Sequence, residues 1–125
     1  MNTVNIKQLE GTSRAVQFTG GTSYRAILES EGLGFAVMKT VIPKGGPHKW
    51  HYVNHVEACY CIEGRGVLTD LKTGEMYDIR PDIVYYLPNH EAHTFEALED
   101  VVLISIFNPP LKGSEKHDKN GHYSL

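Results

Sequence analysis

From Ser23 onward the chain is built of short runs of alternating or β-branched apolar residues, cut by Gly, Pro and Asn, and no run keeps a helical period. The pattern predicts strands over residues 24–28, 35–42, 57–62, 66–71, 76–79, 83–87, 94–97 and 101–107. Lys72-Thr73-Gly74 joins two of them as a hairpin, because glycine supplies the positive φ of a short loop. Many short strands at close spacing imply an all-β sandwich or barrel, and closing the sheet disposes of exposed edges. The segment up to Gly21 is weakly patterned, and residues 5–9 read either as a turn of helix or as an edge strand. Asn108-Pro109-Pro110 ends the last strand. Residues 111–125 are polar and glycine-containing, the composition of a solvated, frayed terminus.

A length of 125 residues suits one domain, divided into an N-terminal segment (1–22), a barrel (23–107) and a C-terminal tail (108–125). The net charge of −3, from 12 basic and 15 acidic residues with no basic stripe, argues against a nucleic-acid partner. The first residues, with Lys7 and Glu10, lack the apolar run of a secretory signal, and no stretch approaches the ~20 apolar residues of a membrane span. A cytoplasmic protein with no membrane partner is expected. Cys59 and Cys61 stand too close together for an ordinary disulfide, and are read as small buried residues in a reducing compartment.

Chemistry enters with two segments. From Gly45 the spacing runs five residues to His51, one to Val53, three to Glu57 and six to Gly64. That is the spacing of the first motif of cupin barrels, with valine where a second histidine usually stands. The second segment runs from Asp82 five residues to Pro88, one to His90, two to His93 and three to Ala97. It follows the second cupin motif, with Asp82 and His90 in place of glycines and Ala97 in place of asparagine. Alternate strand residues face the lumen, so donors on facing strands can converge on one ion. Val53 cannot ligate, and Tyr85 can supply the missing donor as a phenolate stabilised by the cation itself. The proposed ligand set is Glu57, Tyr85 and His93. Two oxygens and one nitrogen favour iron or manganese, with zinc also compatible. Taken singly, each residue has an ordinary reading: Glu57 as a solvent-facing carboxylate, Tyr85 as core, His93 as a turn residue. Convergence on cupin spacing favours the metal. His48, His51, His55, His90 and His122 are read as surface or supporting groups, with His51 the alternative ligand should Tyr85 not serve.

Residues 51–64, reading HYVNHVEACYCIEG, together with Phe107-Asn108-Pro109-Pro110-Leu111 and the tail from Gly113 to Asp118, resemble the ectoine synthases over most of the chain. The resemblance implies a single-domain jelly-roll cupin, and a cytoplasmic, iron-dependent homodimer. It also implies closure of N-γ-acetyl-L-2,4-diaminobutyrate into the cyclic amidine ectoine with loss of water. On that resemblance the metal ligands are again Glu57, Tyr85 and His93, and the substrate contacts are Thr40, Tyr52, Phe107, Glu115 and His117. The catalytic candidates are Glu115, His117 and Tyr52, and the tail folds over the barrel mouth instead of fraying. The chain departs from the family where Gly21, within Thr19-Gly20-Gly21, replaces a tryptophan, where Ser105 replaces a cysteine, and where Val53 replaces a commonly polar residue. The first departure implies a missing aromatic wall. An iron cupin acting on another small amide or oxidising a small molecule, and a non-catalytic cupin that binds a small ligand, stand as alternatives.

Overall fold

Alternation builds the strands and decides which face of each looks inward. The computed structural model describes residues 1–118 and 121–123. Ten strands follow one another: β1 (Ala15–Phe18), β2 (Gly21–Ile27), β3 (Ala36–Ile42), β4 (Gly45–Trp50), β5 (Val56–Glu63), β6 (Gly66–Asp70), β7 (Met76–Ile79), β8 (Val84–Leu87), β9 (His93–Ala97) and β10 (Val101–Asn108). In β3 the inward positions are Ala36, Met38, Thr40 and Ile42, while Val37, Lys39 and Val41 face outward. The strands pair antiparallel in a six-stranded sheet, β1-β2-β3-β10-β5-β8, and a four-stranded sheet, β4-β9-β6-β7. The inner faces of the two sheets share one apolar core, with Ala36, Ile42, Cys61, Phe95 and Val101 wholly buried. The strand pattern predicts all-β structure, and the two packed sheets make it the jelly roll that the family resemblance implies. Among the described residues no helix is long and apolar enough to cross a membrane.

Two strands escape the pattern. β1 carries its alternation in only four residues, and β4 reads Gly-Gly-Pro-His-Lys-Trp, which has neither alternation nor β-propensity. Its conformation comes from its partner: β4 pairs with β9 through an irregular stretch between Gly45 and His48, which places Trp50 opposite His93. Strand structure therefore begins at Ala15, within the segment assigned to 1–22. Of the two readings of residues 5–9, the helical turn is the one adopted, as a 3-10 turn over Ile6–Leu9 capped by the Asn5 side chain.

The two non-glycine residues that replace cupin glycines keep the glycine backbone: Asp82 has φ 75° and His90 has φ 55°. Aspartate tolerates this region better than most residues, and the Asp82 carboxylate also accepts the Tyr60 hydroxyl at 2.7 Å. The β6–β7 hairpin turns as expected, with Gly74 at φ 76° and the Asp70 carboxylate accepting the Lys72 and Thr73 amides.

The tail is not a frayed terminus. Leu111 and Tyr123 are buried, Glu29 N–H donates to the Leu111 carbonyl, His51 N–H donates to the Gly121 carbonyl, and Asn54 donates its side-chain amide to the Tyr123 carbonyl. These bonds seat the tail across the loop from His51 to His55, over the barrel mouth.

Replacing Asp82 with valine puts a β-branched residue in the left-handed region. We expect the urea unfolding midpoint to report a loss of about 1–2 kcal/mol, whereas Asp82→Gly should leave the barrel at least as stable apart from the exposed Tyr60 bond.

Candidate active site

One rung of the six-stranded sheet carries the site across its inner face: Arg25 on β2, Met38 on β3, Ser105 on β10, Cys59 on β5 and Tyr85 on β8 stand in register. The adjoining rung aligns Ala36, Phe107, Glu57 and Leu87. His93 comes from the opposite sheet, between Trp50 and Asp70. Glu57, Tyr85 and His93 are 7%, 7% and 1% exposed. Their donor atoms, Glu57 Oε1, Tyr85 OH and His93 Nε2, are all buried without a hydrogen-bond partner among the described residues.

Each is held in the form that a cation would need to displace or use. Burial pushes the Glu57 carboxyl up to about 8 and the Tyr85 phenol well above its ordinary value, so both keep their protons in an apolar lumen. Burial lowers the His93 imidazole. Its Nδ1 lies 2.8 Å from the Glu91 carbonyl, which can only accept, so the proton sits on Nδ1 and the Nε2 lone pair is free to ligate. Two oxygens and one imidazole nitrogen, unpaired and buried, are a donor set for a hard or borderline divalent ion. Among the described residues no three His, Cys, Asp or Glu side chains gather to hold a metal, so a three-point site depends on the phenol.

Beside the donors lies a chamber walled by Phe18, Trp50, Tyr52, Phe107 and Tyr123, with Thr40, Met38, Leu103 and Ser105 on its floor. It encloses about 10 Å³, room for roughly one water. A wider cleft of about 680 Å³ opens between β7 and β8 and reaches Tyr85 and His93 from the side, but it does not touch Glu57. The chamber is the better candidate for substrate, since polar groups there converge within a closed aromatic wall. Three of the expected substrate contacts, Thr40, Tyr52 and Phe107, line it directly.

His117, from the tail, packs against the residues of the chamber wall rather than lining it: its Nε2 stands 3.0 Å from the Tyr52 hydroxyl, and its ring lies against Phe18, Trp50 and Tyr123. Burial, reinforced by the Arg25 charge, lowers His117 to about 4, so the ring is neutral at neutral pH. Its Nδ1 is buried with no partner among the described residues. Glu115 is placed differently. Its carboxylate accepts the amides of Lys112 at 2.6 Å and Gly113 at 2.7 Å, within the tail itself. Burial opposes its ionisation, but these backbone bonds outweigh it and hold the carboxyl below the usual range.

Several features were hidden in the sequence. Gly21 itself is packed tightly against its neighbours. A Cβ there would stand 2.3 Å from the Val41 carbonyl oxygen and 3.1 Å from Phe18 Cζ, and the Phe18 and Trp50 rings, 5.6 Å apart, form the wall instead. Ser105 is bonded to Thr40 at 2.8 Å and to Cys59 at 3.3 Å, so its hydroxyl is part of the chamber floor. His55 is buried rather than at the surface, edge-on to Phe107 and Tyr123. His51 turns toward His122 and lies outside the chamber wall. His90 supports the site from behind, its Nδ1 lying 2.9 Å from both the Tyr52 and the His55 carbonyl. Alternation in Ala15-Val16-Gln17-Phe18 was the one local signal for Phe18. Nothing local marked Trp50.

A jelly roll with inward donors at both cupin segments, and a tail across its mouth, defines a cupin-type barrel. The ectoine synthase family model matches residues 1–125. The chain is 42% identical to the L-ectoine synthase of Nocardia farcinica over 94% of its length and 90% of that protein's. It is 39% identical to that of Halalkalibacterium halodurans over 100% and 97%. The crystal structure of the ectoine synthase from P. lautus superposes with a TM-score of 0.86 at 36% identity, covering 91% of this chain and 82% of that one. The chain belongs to the ectoine synthase family. An ethanolamine utilization protein Q from Salmonella typhimurium, at 17% identity and a TM-score of 0.67, shares the fold alone.

The His117 geometry has a pH consequence. Released from the barrel, the ring takes a proton near its ordinary 6.5, but docked it resists until about 4. The docked tail thus binds fewer protons across that window, and acidification from 6.5 toward 4 favours release by up to about 3 kcal/mol. The emission of Trp50, the only tryptophan of the chain, should shift to the red over this range, and His117→Gln should flatten the transition.

Proposed function

We propose that the protein closes N-γ-acetyl-L-2,4-diaminobutyrate into ectoine with loss of water, on a divalent ion held by Glu57, Tyr85 and His93. The observation that carries this reading is the trio of unpaired buried donors beside an aromatic chamber, in a chain of this family. Iron is the preferred ion, with manganese or zinc able to use the same donors. The alternative activities keep the barrel but have no particular observation in their favour. Phe18 restores the aromatic wall, and Ser105 keeps a polar group on the floor.

Ring closure joins the α-nitrogen to the acetyl carbonyl carbon and expels the carbonyl oxygen as water, with both of its hydrogens drawn from nitrogen. Bound at the three donors, the ion supplies Lewis acidity for the poorly electrophilic amide. The chain's own residues handle protons and shape. Neutral His117, whose Nε2 pairs with the Tyr52 hydroxyl and whose Nδ1 has no partner among the described residues, is placed to take a proton from the α-nitrogen as it bonds to carbon, when that proton is more acidic than in the free ammonium. Burial keeps Tyr52 protonated and able to donate. Thr40 and Ser105 orient the substrate from the floor, and Phe107 and Tyr123 close it off from water, so that amine and carbonyl meet in near-attack contact. Glu115 contributes by ordering the tail that carries His117.

A homodimer belongs to the same proposal. Tyr60, Ile62, Val84, Tyr86 and Ile106 are exposed together on the outer face of β5, β8 and β10, beside the unpaired edge of β8, a patch suited to a second copy. The free thiols of Cys59 and Cys61 fit a cytoplasmic location.

Incubating iron-loaded protein with the acetylated diamine should yield ectoine by NMR. A metal-bound, folded protein that forms no product overturns the assignment. Glu57→Ala and His93→Ala should each lose both the ion, by elemental analysis, and turnover. Tyr86→Lys should convert a dimer to monomer in analytical ultracentrifugation.

A further inference from the structure

Arg25 is an arginine with 0% exposure at the end of the rung that leads to Tyr85. Desolvating a guanidinium costs several kcal/mol unless its charge and donors are answered. The barrel answers only part of this, because Nε donates to Ser23 Oγ at 3.2 Å. The other contacts belong to the tail. Nη1 donates to the Gly113 carbonyl at 3.0 Å, and Nη2 donates to the Glu115 carbonyl at 2.7 Å. The Glu115 carboxylate stands 3.8 Å from Nη1, and the guanidinium carbon lies 5.5 Å from the centre of the Tyr123 ring. A buried cation on β2 is thus satisfied chiefly by a segment nearly ninety positions further along the chain.

The chamber has room for about one water and Tyr123 of the tail is part of its wall, so lifting the tail opens it to something the size of an acylated diamino acid. Closing must then bring His117 back to within 3.0 Å of Tyr52, and a contact that seats the tail decides whether it does. Gly113, Glu115 and Tyr123 bracket His117 in sequence, and all three rest on Arg25. We propose that Arg25 is the latch of this lid: a positioning residue whose forked guanidinium, by holding the tail backbone and the Tyr123 face together, sets His117 against the chamber. Lysine cannot substitute. One ammonium cannot reach two divergent carbonyls and a serine while presenting a flat face to an aromatic ring. The metal donors do not touch Arg25, and the latch leaves them undisturbed.

The test uses the full-length, metal-loaded protein with Arg25→Met, which fills the buried volume without a charge, and Arg25→Lys, which keeps the charge without the fork. Trypsin acting after Lys112 and Lys116, both exposed on the tail, reads the open population. Losing two charge-assisted bonds should raise cleavage on the order of tenfold or more. Trp50, buried against His117, should shift its emission to the red in both variants. Metal stoichiometry and far-UV dichroism should match the parent. This role rests on the proposed reaction only in its activity arm, where kcat/KM should fall by about 100-fold in both variants, as for a misplaced catalytic group. Unchanged cleavage and unchanged Trp50 emission overturn the latch, even if activity is lost. If the parent itself forms no ectoine, proteolysis and fluorescence still decide the question. Should the Arg25 variants fail to fold, Tyr123→Leu, which removes the aromatic face from the tail side, carries the same cleavage and emission expectations, and their absence is equally decisive.

Discussion

The constraint that shapes this barrel is the burial of three polar atoms with no partner. Glu57 Oε1, Tyr85 OH and His93 Nε2 are buried without partners among the described residues, and each such group destabilises the fold by about 1–3 kcal/mol. The surrounding structure tolerates this because the rest of the lumen is densely apolar and cross-braced. Phe95, Leu103 and Phe107 fill the space between the sheets, and Trp50 stacks on Phe95 at 5.6 Å. On the proposed reading a divalent ion at these atoms would offset the penalty by replacing the absent hydrogen bonds, and would link occupancy of the site to stability of the barrel. The high affinity of Glu57 and Tyr85 for protons in the apolar lumen has the same origin: without a countercharge, burial favours the neutral forms.

The mouth follows a different rule. There most polar groups are engaged, several with partners far along the chain, while His55 Nδ1 and His117 Nδ1 have none among the described residues. Arg25 rests on the tail, Glu115 folds the tail on its own amides, Asn54 holds the Tyr123 carbonyl, and His90 holds the loop that carries Tyr52. Such contacts can be broken as a unit and remade, whereas the strand ladders cannot, and local stability is lowest where few apolar residues anchor a segment. A closed aromatic chamber under a detachable cover suits a reaction that must exclude water while expelling one.

The substitutions at family positions show how a local change is absorbed by its neighbourhood. With no side chain at Gly21, the backbone lies against the Val41 carbonyl and Phe18 supplies the ring. With serine at 105, the hydroxyl joins Thr40 and Cys59 in a short buried chain. With Asp82 and His90 at glycine positions, the left-handed turns persist, stabilised by a bond to Tyr60 and by the carbonyls of Tyr52 and His55.

Strand identity in eight of the ten strands, the β6–β7 hairpin and the inward direction of Glu57, Tyr85 and His93 were all written in local alternation and spacing, because a pleated strand gives its residues opposite faces by geometry alone. The spacing of two motifs was enough to nominate the donors. Local pattern could not show β4, whose Gly-Gly-Pro stretch is extended only because β9 pairs with it, nor the burial of His55 or the wall formed by Phe18 and Trp50. The tail is the clearest case: its polar composition reads as solvated, yet Arg25, Leu111 and Tyr123 bury it. A residue's own sequence neighbourhood determines which way it points. What it meets there is decided by segments dozens of positions away, brought together only when the two sheets close.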